Sequence, residues 1–198
     1  MKTTMLFTRH GDTLYTEVFP DLTDKGARQI RATAEEIHNI VRGRNPVVLF
    51  SSPSPRALGT ASIIARRLQI PEKEVRIEVA IRPRDHHVLK RRSVESAGAI
   101  QDRFFTYLGR LFELFVAGKL PEVLIHVSHY EVLRTLSDSF GLGKEFHNGE
   151  LVRLDLSEST VKKGGVHVHA MFRQRTREFE CAPDPLILAS LYHEFGTE

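Results

Sequence analysis

Cysteine is nearly missing from this sequence, and its single thiol, Cys181, cannot close an internal disulfide. That excludes a disulfide-stapled scaffold and suits a reducing compartment. Cys181 sits in no nucleophile motif, so it reads as a structural or neutral residue. Long apolar runs are absent as well. The amino-terminal stretch turns polar by Thr8, too early for the core of a secretory signal, and no other run approaches the roughly 20 residues of a membrane span. A cytoplasmic protein without membrane contact is the expectation. Nor does one sign of charge dominate: 28 Lys and Arg against 25 Asp and Glu leave +3, with a pI near 9.1. Such a balance favours anionic ligands without singling out nucleic acid, which is not expected as a partner. With 41% hydrophobic and 27% charged residues, disorder is excluded too.

What is present is a chain of 198 residues, long enough to bury a sheet between two helical layers and expected to form one domain over 1–198. Its first apolar run, Met5-Leu6-Phe7, stops abruptly at Thr8-Arg9-His10-Gly11-Asp12-Thr13. A buried strand that hands over to a polar loop in this way places chemistry at its carboxyl end. Thr23 and Asp24 then open a helix as N-cap and first-turn acid. Ala27, Ile30, Ala34, Ile37 and Val41 recur at helical spacing up to Gly43. Pro46 to Phe50 reads as a second buried strand. In Ser51-Ser52-Pro53-Ser54-Pro55-Arg56, Ser54 is a cap and Pro55 a first helical residue. Arg56 therefore falls in a first turn, where free amides already favour an anion. Leu58, Ala61, Ala65 and Leu68 carry this helix on to Pro71.

Val75 to Ile81 alternates apolar and charged residues and predicts a strand near a sheet edge. It leads into the cationic run Arg82-Pro83-Arg84-Asp85-His86-His87 and Lys90-Arg91-Arg92. This run is either a solvated loop or a rim that recruits a charged substrate, with Arg84 as the candidate contact. Ile100, Phe104, Tyr107, Leu108, Leu111, Phe112 and Phe115 mark the strongest helical face, a core stripe rather than a base-stacking platform. Glu122 to Val127 is a further buried strand, ending in Ser128-His129-Tyr130-Glu131 and a helix that Gly141 stops. Asn148-Gly149-Glu150 is a turn. Val152, Leu154 and Leu156 alternate as a strand, Gly164-Gly165 turns the chain, and Val166 to His169 forms another. His167 and His169 share one face, where cross-strand packing is a simpler reading than a metal site. Pro185 to Tyr192 reads as a terminal helix.

Strands alternating with helices imply a three-layer α/β/α sandwich with a mainly parallel sheet. Such a sheet would gather His10, Arg56 and His129 at one edge. Four ordered segments resemble the histidine phosphatase superfamily, the phosphoglycerate mutase-like family. They are Arg9-His10-Gly11 with Asp12-Thr13, the block Leu22 to Gln29, Ser54-Pro55-Arg56 with its helix, and Ser128-His129 with its helix. The resemblance implies a phosphatase in which His10 is the nucleophile that becomes phosphorylated. Arg9, Arg56 and a protonated His129 would grip the phosphoryl oxygens, while Thr13 and Thr16 line the pocket. The cations would do a metal's electrostatic work, so neither metal nor cofactor is expected.

The chain departs from the family in two places. No glutamate follows the Val75 to Ile81 segment until Glu95, which leaves Asp85 as candidate acid, or as a loop residue paired to Arg82 or Arg84. Tyr130 stands where many members have glycine, and it would narrow the pocket or add a hydroxyl. Little sequence separates Asp85 from His129 and most of it is one helix, so no mutase-type lid is expected. A phosphorylated small molecule or phosphoprotein is the expected substrate. The alternatives are a non-catalytic phospho-ligand binder, a phosphoglycerate-type mutase, and a metal hydrolase built on His86, His87, His167 and His169.

Overall fold

The structure is a computed structural model and describes residues 2–14, 21–84, 95–143, 145–160 and 165–181. One seven-stranded sheet organises it, in the order β3-β2-β4-β1-β5-β6-β7. Strands β1 (Lys2–Arg9), β2 (Val47–Ser51), β3 (Arg76–Ile77) and β4 (Val123–Ser128) run parallel. Strands β5 (Leu151–Glu158), β6 (Val166–Phe172) and β7 (Arg175–Cys181) add an antiparallel extension beside β1. The parallel expectation thus holds for the block that carries the helices, and the sheet as a whole is mixed.

Helix α1 (Asp24–Val41) starts as its sequence dictates, with the Thr23 hydroxyl accepting from the Gly26 amide. Helix α2 (Pro55–Leu68) has Pro55 at its start, but the Ser54 side chain does not cap it. The helix also ends before Pro71, through a left-handed Gln69. These two helices cover one face of the sheet, burying Ile30, Ile37, Ala61 and Ile64 against Leu6, Leu49 and Ile125. Helices α3 (Ala97–Val116) and α4 (Tyr130–Ser139) cover the other face, burying Phe104, Phe112, Leu133 and Leu136 with Met5, Phe7 and Leu124. Alternate residues of β1 and β4 therefore feed opposite cores, as the two-residue period requires. A fully buried Phe or Leu of this kind contributes about 2 kcal/mol.

The 75–81 segment is less regular than its alternation predicts. Only Arg76 and Ile77 pair, at the sheet edge, and one-turn 3₁₀ helices flank them at Glu72–Glu74 and Val79–Ile81. The second of these turns buries Ile81 beneath α3. The strand β7 has no counterpart in the sequence reading, because charged residues fill most of its positions and only Phe179 and Cys181 point to a core. His167 Nδ1 meets Glu180 Oε1 of β7 at 2.8 Å. The acidic partner missing from the sequence reading is thus a cross-strand one, and no group of three metal-ligating side chains occurs among the described residues. Thr16, Asp85, His86, His87 and the expected 185–192 helix lie outside the described residues. Among those residues no helix is long and apolar enough to cross a membrane.

Candidate active site

The carboxyl ends of β1, β2 and β4 lie side by side and deliver Arg9-His10, Ser51-Ser52 and Ser128-His129 to one edge of the sheet. Backbone bonds lock this edge: His10 N–H donates to Ser128 O at 3.1 Å, and Ser52 N–H to Val127 O at 3.0 Å. The loop after His10 can run here only because two glycines meet. A Cβ on Gly11 would stand 2.7 Å from the Gly26 carbonyl, and one on Gly26 would collide with the Asp12 backbone. The first turn of α1 thereby presses against the His10 loop, which explains why Leu22 to Gln29 matters to a site it does not line.

His10 is 2% exposed. Its Nδ1 lies 2.8 Å from Gly11 O, and a carbonyl only accepts, so Nδ1 carries the proton and Nε2 keeps its lone pair. Arg56 Nε donates to that Nε2 at 3.1 Å. Burial, with help from the Arg56 and Arg9 charges, pushes the His10 pKa down to about 3. The ring is therefore neutral at pH 7. Thr13 stands behind it, its hydroxyl donating to Gly11 O at 3.1 Å.

Arg9 is held by Phe146 O at 2.7 Å, and its guanidinium carbon lies 5.5 Å from the centre of the Tyr130 ring. The bulky residue after His129 thus stacks over a pocket cation and narrows the site from that side. Arg84 Nε donates to Glu95 O at 2.6 Å. Arg82 and Arg103 meet the Glu95 carboxylate at 3.2 and 2.7 Å. Glu95 thus gathers contacts from Arg82, Arg84 and Arg103, while the expected pairing of Asp85 lies outside the described residues. The Arg103 bonds and the neighbouring cations hold the Glu95 carboxyl below the usual range.

His129 packs against His10 with ring centres 5.0 Å apart. Its Nε2 lies 2.8 Å from Ser52 Oγ and 3.3 Å from Ser54 Oγ. The expected protonated His129 is not what this environment supports. Desolvation first, then coupling to the adjoining His10 imidazole and the charges of Arg56, Arg103 and Arg9, lower its pKa well below 6.5, so in the unliganded site it is neutral. Its Nδ1 and the Arg9 Nε are buried without a partner among the described residues. Both atoms belong to residues that border one cavity, and buried polar atoms left unpaired call for a physical reason.

Arg9, His10, Arg56, Arg84, His129 and Tyr130 together wall a cavity of about 200 Å³. Of the sequence candidates within the described residues, only Thr13 stays behind the wall rather than on it. Sequence reasoning missed Ser52, which fixes His129. It also missed Thr60, whose hydroxyl accepts from Gly11 N–H at 3.2 Å and donates to Arg56 O at 2.9 Å. Thr60 falls one helical turn after Arg56, a spacing that could have drawn attention to it. Three guanidiniums around two neutral imidazoles make a receptor for a small, multiply charged oxyanion.

Comparisons with known proteins bear on this cavity. Residues 5–93 match the family model of the histidine phosphatase superfamily (branch 1). No curated protein matches the chain by sequence. Among solved structures, a protein described as mycobacterial hydrolase 2 aligns with TM-score 0.65 at 15% identity, covering 100% of this chain and 99% of its own. A mycobacterial glucosyl-3-phosphoglycerate phosphatase aligns with TM-score 0.59 at 18% identity, covering 79% and 91%. The protein histidine phosphatase SixA, complexed with tungstate, aligns with TM-score 0.53 at 15% identity, covering 91% and 97%. At these identities the likeness is one of fold.

Proposed function

We propose, from the match of residues 5–93 to the family model of the histidine phosphatase superfamily, that this chain is a metal-independent phosphoric monoester hydrolase working through phosphohistidine on His10. The observation that carries this reading is the His10 ring itself. Its proton is committed to Gly11 O, and the lone pair of its Nε2 accepts from Arg56 at the wall of a cationic cavity. A phosphoryl group entering there would displace the Arg56 contact onto its own oxygens. The His10 Nε2–P bond then forms as the ester P–O bond breaks, and the departing oxygen keeps the electron pair.

Arg9, Arg56 and Arg84 neutralise the charge spread over the equatorial oxygens, the work a metal ion does elsewhere. His129 joins them as a neutral donor, and a bound dianion opposes the cations that lower its pKa. Water attacking phosphorus next breaks the N–P bond and releases inorganic phosphate. Of the three solved neighbours described above, two are named as phosphatases, which supports hydrolysis over isomerisation.

Brief mixing of the protein with radiolabelled p-nitrophenyl phosphate and an alkaline quench tests the reading. Acid-labile label should appear on wild type and be absent from His10→Ala, with turnover lost in parallel. Hydrolysis that survives in His10→Ala would overturn it.

A further inference from the structure

The cavity at His10 does not end at its own walls. A second cavity of about 250 Å³ lies between α3 and α4, lined by Ile100, Gln101, Arg134 and Asp138, and it shares Arg84, Tyr130 and Glu131 with the first. A phosphate ester bound with phosphorus at His10 can extend its organic half past these shared residues into the second cavity. The bond to be broken then lies at the junction.

Glu131 stands at that junction. It is the carboxylate among the described residues that line the His10 cavity, two positions after His129 in the first turn of α4. Its carboxylate enters no hydrogen bond or ion pair among the described residues. Other carboxylates nearby are committed. Glu95 is tied to Arg82 and Arg103, Glu78 accepts from the Ala80 amide at 2.7 Å, and Asp12 accepts from the Thr23 hydroxyl at 3.0 Å.

We propose that Glu131, rather than Asp85, protonates the departing oxygen, and that the leaving group occupies the cavity between α3 and α4. This rests on the phosphohistidine reading above. In the first step the ester oxygen takes the Glu131 proton together with the P–O electron pair, and leaves as an alcohol. In the second, the Glu131 carboxylate removes a proton from the attacking water as the N–P bond breaks, which restores the acid and leaves the electron pair on His10 Nε2. The substrate class that needs such a donor is a phosphate ester of a weakly acidic alcohol, because an alkoxide is a poor leaving group and p-nitrophenolate is a good one.

Release of the first equivalent of phenol from p-nitrophenyl and from phenyl phosphate tests this in wild type, Glu131→Gln, Glu131→Asp and Asp85→Asn. Glu131→Gln should lose about 10²–10⁴-fold on phenyl phosphate and under about 10-fold on p-nitrophenyl phosphate, with Glu131→Asp between it and wild type. Equal losses on both esters, no loss on either, or the selective loss appearing in Asp85→Asn instead would overturn the assignment. A wild type that releases neither phenol, or a His10→Ala variant that releases both, would instead sink the phosphohistidine reading.

Discussion

Two histidines in this molecule share burial and a lowered pKa but not a setting. His10 and His126 are both pushed down to about 3, in each case chiefly by burial. His10 sits past the end of β1 with Arg56 on its free nitrogen and a cavity before it. His126 lies inside β4, stacked between Phe7 at 4.3 Å and Phe50 at 5.2 Å, with its Nε2 2.9 Å from the Tyr107 hydroxyl. Desolvation alone therefore does not mark a site. The mark is desolvation beside guanidiniums and room for a ligand.

Substitution breaks this contrast most directly. Arg56→Ala should lower kcat/KM on an aryl phosphate by about 10²–10³-fold, the usual effect of removing one preorganised donor. Arg56→Lys should recover little, since a point charge cannot copy the planar fork. The paired change His126→Phe with Tyr107→Phe removes both polar partners at once and leaves neither stranded, so activity should stay within a few-fold of wild type. If the core pair cost as much as Arg56→Ala, the distinction between the two environments would be wrong.

The pH dependence of stability sharpens the same contrast. Below the ordinary value of 6.5, the unfolded chain binds protons at His10, His126 and His129 while the folded chain does not. Stability is therefore intact above about pH 6.5 and drains away as pH falls toward the folded values. Each fully unprotonated imidazole adds about 1.4 kcal/mol per pH unit to the slope. Urea titrations between pH 7 and 5 should show the slope. The His126→Phe/Tyr107→Phe pair should remove one imidazole's share of it. Saturating phosphate should flatten what the two pocket imidazoles contribute and leave the His126 share untouched. A slope unchanged by the core pair would contradict the assignment of His126 as buried and neutral.

The difference between the two environments was only half legible in the chain. Short-range chemistry was plain: a strand ending at His10, a cap at Thr23, a proline before Arg56 and a strand ending at His129 are each written within a few residues. Long-range roles were not. Ser52 looks like a linker residue until β4 brings His129 beside it. Glu95 looks like part of a charged loop until α3 folds Arg103 onto it. Glu131 looks like one more residue of the segment that follows His129, and only the packing of α4 turns it toward the cavity edge. His126 escaped notice because a histidine inside an apolar run carries no local signal that aromatic rings will close over it. The strand β7 was missed because one of its faces is charged. Alternation is weak where only Phe179 and Cys181 reach a core.

A third histidine supplies the smallest test. His167 on β6 is about one-third exposed and meets Glu180 of β7 across the antiparallel extension, far in the sheet order from β2 and β4. It has neither the burial of His126 nor the cations of His10. A double-mutant cycle with His167→Gln and Glu180→Gln, followed by urea denaturation at pH 7, should give a coupling below about 1 kcal/mol, as for other half-exposed cross-strand pairs. Aryl phosphate turnover should not change in either variant. A drop in turnover here would mean that the antiparallel extension helps to hold the His10 edge. Such an effect would have to pass through the pairing of β5 with β1 along its length and the Arg9 N–H bond to Glu150 O at 3.2 Å just before β5 begins. That latch is backbone to backbone, so a side-chain change two strands away has no means of loosening it, and this is why the expected effect on catalysis is nil.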